Sequence, residues 1–120
     1  MKKTLLNAPE RCRKSLGYSW QALKGVMKKE ESFRLEAIAF FILVIILALC
    51  PWPIWKCLAM TAGFLLIPFA EVVNSAIEDI CDGITHEYSP VIKSAKDKGA
   101  LAVFIAIIIN VFLLVALLLV

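Results

Sequence analysis

Residues 100–120 form a run of 21 residues with one polar side chain, Asn110, and that run limits the fold more than any other stretch of the chain. Backbone N–H and C=O groups carried into hydrocarbon find no water, so so apolar a segment must satisfy them within itself, as a helix. About 20 helical residues cover the roughly 30 Å of a bilayer core. Two other stretches read the same way. Residues 37–50, AIAFFILVIILALC, continue apolar through Pro51-Trp-Pro-Ile-Trp55 and with their flanks give a span at about 34–52. A second span runs from about 54 to 82, apolar at its start and acidic at its end. With 61% of its 120 residues hydrophobic, the chain is too apolar for a soluble domain, where about half is usual. It reads as a single all-α integral membrane domain with three transmembrane helices.

Ahead of the first span lies a segment of different character. Asn7-Ala-Pro9-Glu10 supplies an N-cap candidate, a proline and an acid for a first turn, and predicts a helix over about 8–30. Leu16, Trp20, Leu23 and Met27 share one face of it, while Arg11, Arg13, Lys14, Lys24, Lys28 and Lys29 occupy much of the rest. That is the pattern of an amphipathic helix lying on anionic lipid. Met1-Lys2-Lys3 is followed by polar and basic residues rather than by an apolar core, so no cleavable signal peptide is expected. Pro51 and Pro53 end the first span, Trp52 and Trp55 suit an interfacial belt, and Gly83 with the polar run to Pro90 is expected to break the second. The third span is expected over about 99–120. Cys50 and Cys57 flank the hairpin, where a disulfide is possible, although the prolines and tryptophans between them already form a turn.

Of the 13 Lys and Arg residues, 12 lie in the N-terminal segment or between spans two and three, and only Lys56 lies in the other loop. The positive-inside rule then places the N-terminus at the cytoplasmic face and the hairpin and C-terminus outward. The acidic stretch 71–97, EVVNSAIEDICDGITHEYSPVIKSAKD, therefore opens where nucleoside triphosphates and Mg²⁺ are available. At about 100° per residue, Asn74, Glu78 and Asp82 fall roughly −60°, −20° and +20° from Glu71, so the four side chains make one narrow stripe. Glu71 still lies within apolar sequence, and a carboxylate there is costly enough to suggest a function.

The five glycines form neither a P-loop nor a dinucleotide fingerprint, and His86 has no His or Cys partner at metal-binding spacing. What remains is a group of carboxylates, Glu30, Glu71 and Glu78, with basic residues such as Arg11 and Lys96. Mg²⁺ is usually held by one or two carboxylates plus substrate phosphates. Phosphoryl transfer needs little more than such a metal, a cation on the phosphate and a base near the acceptor hydroxyl. Glu71, set in apolar surroundings, suits the role of base.

The segments GYSWQALK (17–24), EESFRLE (30–36), EVVNSAIE with Asp82, and EYSPVIKSAKDKGA (87–100), in this order among three spans, resemble the prokaryotic diacylglycerol kinase family. The resemblance covers nearly the whole chain and implies a homotrimer that transfers the γ-phosphate of ATP to diacylglycerol, giving phosphatidic acid at the cytoplasmic face of the bacterial inner membrane. It implies Glu71 as the proton acceptor, Glu30 and Glu78 as Mg²⁺ ligands, and Arg11, Tyr18, Glu30, Glu78, Glu87, Tyr88, Ser89, Lys96 and Asp97 as ATP contacts. Asn74 and Asp82 match supporting polar positions. Arg11, Trp20, Ser32, Phe33, Arg34, Glu36 and Glu71 match positions that face the lipid substrate. Ser89 and Ser94 stand where better-known members carry His and Arg, with Lys93 near enough to replace a lost cation, and Asn110 is polar where an apolar residue is usual. No nucleic-acid partner is expected. Undecaprenol, which also presents a primary hydroxyl at the interface, is an alternative acceptor. A small ion- or proton-coupled transporter would also use an intramembrane Glu, but it needs neither the basic AKDK connector nor Glu30.

Overall fold

The structure is a computed structural model, and it describes residues 7–120. The basic start Met1-Lys2-Lys3 lies outside the described residues. The described chain is helical, with no strand, and forms two compact units, one ending at Arg34 and the other running over Leu35–Val120.

In the first unit, α1 is Ala8–Lys29. Asn7 precedes it in extended backbone without a side-chain cap bond, Pro9 occupies the first turn, and Glu10 and the pair Lys28 and Lys29 put charges of the favourable sign at either end. No residue of α1 is buried, and Leu16, Trp20, Leu23 and Met27 stand exposed along its apolar face. The Lys24 ammonium sits 5.3 Å from the Trp20 ring, one turn away. At the other end the Arg34 guanidinium donates from Nη1 to the carbonyls of Met27 (3.0 Å) and Lys28 (2.9 Å). Those carbonyls belong to the last turn, where intrahelical donors run out, so Arg34 caps α1.

Helix α2, Glu31–Leu49, crosses the boundary between the units; α3 is Ile54–Phe64, α4 Leu66–Ile84 and α5 Pro90–Leu119. Three stretches are long and apolar enough to cross a membrane: α2 with 19 residues, α3 and α4 together with 31, and α5 with 30. Prolines 51 and 53 separate α2 from α3, and all four cysteines are free. Gly83 does not break the helix as expected. It is helical, no glycine here has positive φ, and α4 ends instead at Thr85, whose backbone is extended. At its start α5 takes in the basic connector, because Pro90 is well placed at a helix N-terminus.

The second span is interrupted at Leu65. Pro68 has no N–H to offer the Phe64 carbonyl four residues back, which weakens the helix where α3 gives way to α4. Across that break, Asn110 of α5 donates from Nδ2 to the Gly63 carbonyl at 2.9 Å and to its own Ala106 carbonyl at 2.9 Å. Gly63 permits the approach, since a Cβ there would run into the Leu113 side chain. Asn110 is 7% exposed, and its Oδ1 is buried without a partner. Interhelical hydrogen bonds in membranes average about 0.6 kcal/mol and reach about 1.7. Asn110→Ala is therefore expected to lower stability by an amount in that range, read as a shift in unfolding in detergent; unchanged or raised stability would mean the bond contributes nothing.

Helix α5 is the common partner, packing against both α4 and α3. At the hairpin end Leu47, Met60 and Leu117 form a small core with Trp52, Cys57 and Leu113 against it. Lys56 closes this end: its ammonium donates to the Leu117 carbonyl at 3.0 Å and lies 5.7 and 5.6 Å from the Trp52 and Trp55 rings. Most other large apolar side chains, such as Ile45 and Phe112, are exposed, as lipid-facing residues are.

Candidate active site

The acidic stripe is carried by α4, with Glu71, Asn74, Glu78 and Asp82 at successive turns. Glu71, Asn74 and Glu78 are half-buried and Asp82 is exposed. Asn74 donates from Nδ2 to Glu78 Oε1 at 3.3 Å, one turn along, which fixes the orientation of the Glu78 carboxylate. Asp82 accepts from the Lys96 ammonium of α5 at 2.7 Å, joining the end of α4 to the start of α5. That pair is well exposed and contributes little to stability, so its effect is to place a cation beside the stripe. Asn74 lies against Gly99 of α5, where any Cβ would collide with the amide, so the glycine lets α5 approach the stripe closely.

A second group gathers on the first turns of α5. Tyr88, Pro90, Lys93, Ser94, Asp97 and Lys98 line an open hollow of about 340 Å³. Lys93 and Asp97 are paired across it at 2.7 Å. Ser89 sits at the N-cap position of α5, where its carbonyl accepts from the Lys93 N–H at 2.9 Å. Glu87 is placed by the link before it, its N–H donating to Thr85 Oγ1 at 3.0 Å. Here Tyr88 and Asp97, both expected to contact nucleotide, share a hollow with two cations. Lys93 stands one residue before Ser94.

The remaining predicted residues, Arg11, Tyr18, Trp20, Glu30, Ser32, Phe33 and Arg34, belong to the first unit. Glu30 lies in extended backbone just after α1, its N–H bonded to Val26 O at 2.8 Å. Arg34, expected to face lipid, has its guanidinium engaged with α1 carbonyls instead. Among the described residues no three His, Cys, Asp or Glu side chains gather closely enough to hold a metal by themselves. The donors on offer are hard carboxylate oxygens, Glu78 foremost, and these fit a Mg²⁺ ion that takes its other ligands from phosphates. Sequence reasoning missed one feature of the site, the contact of Asn74 with Gly99.

A family model for the prokaryotic diacylglycerol kinases matches residues 17–118. The chain belongs to that family. Among its relatives is the diacylglycerol kinase of Escherichia coli strain K12, 36% identical over 98 residues, which cover 82% of this chain and 80% of the relative. The diacylglycerol kinase of Haemophilus influenzae is 35% identical over 79% of this chain and 80% of its own length. That of Pseudomonas aeruginosa is 31% identical over 88% and 80% respectively. As a prokaryotic diacylglycerol kinase family member, the chain is a membrane-embedded kinase, and the stripe of α4 lies within the matched residues.

Proposed function

We propose that this chain transfers the γ-phosphate of ATP to the free hydroxyl of diacylglycerol, releasing ADP and phosphatidic acid at the cytoplasmic face of a bacterial inner membrane. The observation that carries this reading is the stripe on α4: a carboxylate, Glu71, within apolar sequence, followed two turns on by Glu78 and one turn further by Asp82 with its Lys96 cation. A lipid hydroxyl approaches from the membrane side and a nucleotide from the water side, and the stripe spans both. The relatives named diacylglycerol kinase support the choice of acceptor.

In the reaction the acceptor oxygen attacks the γ-phosphorus, the bond from that phosphorus to the β–γ bridging oxygen breaks, and ADP leaves with the electron pair. Glu71 takes the proton from the attacking hydroxyl. Glu30 and Glu78 would hold Mg²⁺ with the ATP phosphates; the bound ion neutralises charge that develops on the phosphate oxygens. Arg11 and Lys96 add positive charge there, and Tyr18, Glu87, Tyr88, Ser89 and Asp97 hold the rest of the nucleotide, with Lys93 supplying the cation that Ser94 lacks. The charge distribution supports a cytoplasmic N-terminus and an outward C-terminus. The enzyme assembles as a homotrimer, as the resemblance to the family implies.

The test offers the purified protein γ-labelled ATP, Mg²⁺ and either diacylglycerol or undecaprenol in mixed micelles. Label is expected in phosphatidic acid. Label in undecaprenyl phosphate instead, or in neither lipid, would reject the assignment. A metal prediction accompanies it. Glu78→Gln and Glu30→Gln, each removing one hard anionic ligand, are expected to raise the Mg²⁺ concentration for half-maximal activity. If neither variant moves that midpoint, these residues do not hold the metal.

A further inference from the structure

Glu30 is the single residue between two helices: α1 ends at Lys29 and α2 begins at Glu31. It serves both, since its N–H donates to Val26 O at 2.8 Å and its carbonyl accepts from the Arg34 N–H at 3.3 Å. Its own backbone is extended, with φ −101° and ψ 110°. Nothing in residues 26–34, VMKKEESFR, calls for a break there, because the stretch holds neither proline nor glycine. A helical residue has ψ near about −42°, so running α1 straight into α2 would take a turn of about 150° at this one bond. The break leaves acceptors behind. In a continuous helix the Met27 and Lys28 carbonyls would accept from the N–H groups of Glu31 and Ser32, four residues on, and at Glu30 that ladder is cut. The Arg34 guanidinium takes both places, Nη1 donating to Met27 O at 3.0 Å and to Lys28 O at 2.9 Å. Its charge also suits a helix C-terminus.

We propose, building on the reading of Glu30 as a metal ligand, that Arg34 is a positioning residue for that ligand and not a lipid contact: its two bonds to the end of α1 hold the joint at Glu30 open and so fix where the Glu30 carboxylate stands. Without the guanidinium, the two carbonyls regain partners most directly when Glu30 turns helical, which joins α1 to α2 and carries the carboxylate round with the backbone. A ligand moved in this way no longer meets the ion at the distance that Mg²⁺ demands, about 2.0 to 2.1 Å. Arg34 touches neither substrate nor metal in this role; it acts through the backbone of Glu30. Other chemistry can hold the same joint. Glu31→Pro removes the N–H that Met27 O would need in a straight helix, fits the first position of α2, and restricts the residue before it to the extended backbone that Glu30 already has.

The experiment measures Mn²⁺, which shares the preference of Mg²⁺ for carboxylate oxygen, by equilibrium dialysis, as the ion retained with the full-length protein in detergent at a fixed concentration of β,γ-methylene ATP. No turnover enters that reading. The KM for diacylglycerol is measured beside it with ATP and Mg²⁺. Arg34→Leu is expected to weaken Mn²⁺ binding about 10- to 100-fold, the scale for losing a group that orients a metal ligand, with the diacylglycerol KM little changed. Adding Glu31→Pro to Arg34→Leu is expected to restore most of the affinity. Three outcomes overturn the proposal: unaltered Mn²⁺ binding in Arg34→Leu, a raised diacylglycerol KM with Mn²⁺ binding held, as a lipid contact would give, or no recovery in the double variant. Should Arg34→Leu fail to fold, Arg34→Gln, too short to reach both carbonyls, is read in its place against the same outcomes. Glu30→Gln separates the two levels. If it binds Mn²⁺ normally, Glu30 is not a ligand and the underlying reading falls; if it binds weakly while Arg34→Leu binds normally, only the positioning role is lost.

Discussion

Glu71→Gln is expected to fold, bind ATP with near-normal affinity and lose about 10² to 10⁴ in kcat, the usual range for removing a general base. In free energy that is about 2.7 to 5.4 kcal/mol of lost transition-state stabilisation. The amide keeps the size of the carboxylate, so packing supplies no reason for inactivity. It cannot take a proton. The discriminating pattern is therefore a fall in kcat with the ATP affinity held, since an interaction made only in the transition state lowers kcat without weakening ground-state binding. A variant with near-normal kcat would remove Glu71 from the mechanism. A variant whose main defect is nucleotide binding would move Glu71 to the nucleotide side of the site.

Why Glu71 was legible before any coordinates follows from the same physics. A carboxylate within an apolar run is costly, and period-3.6 geometry puts Asn74, Glu78 and Asp82 beside it, so the sequence alone shows the stripe. The three spans were legible for an equally simple reason: hydropathy over some 20 residues reports directly on which segments need no water. What faces the stripe was not legible. Small residues of the second span such as Gly63 suit close helix packing. In the structure Gly63 meets Leu113 and Asn110, and Asn74 meets Gly99, all on α5 of the same chain. Small residues report that something comes close, not what it is. The break at Leu65 was missed because the apolar pattern runs through Pro68 without interruption, although the missing N–H of that proline is written in the sequence. Gly83 is no stop, since a glycine with helical φ and neighbours on both sides is a tolerated cost within a helix.

Gly99→Ala and Gly83→Ala are expected to shift stability in opposite directions, because the same added methyl meets a wall in one case and open space in the other. Within a helix, replacing Gly by Ala gains about 0.5 to 1 kcal/mol from backbone entropy. At Gly83 nothing lies within 4 Å of the new Cβ, so that gain is realised. At Gly99, which is buried, the Cβ would run into Asn74 Oδ1, with the Asn74 Cγ at 3.2 Å and Ile77 Cδ1 at 3.5 Å. Overpacking of this kind typically costs about 1 to 3 kcal/mol, which exceeds the entropic gain. The first atom to yield is Asn74 Oδ1, buried and without a hydrogen-bond partner, so no bond on that side resists its displacement. Turning the amide away breaks its 3.3 Å bond to Glu78, and the carboxylate proposed to hold Mg²⁺ loses its orientation. Gly99→Ala is therefore expected to unfold more readily in detergent and also to need more Mg²⁺ for half-maximal activity, while Gly83→Ala unfolds less readily with unchanged Mg²⁺ dependence. If Gly99→Ala is stabilised like Gly83→Ala, α5 does not approach Asn74 closely in the membrane. If it is destabilised with an unaltered Mg²⁺ midpoint, the Asn74–Glu78 bond has no part in placing the metal ligand.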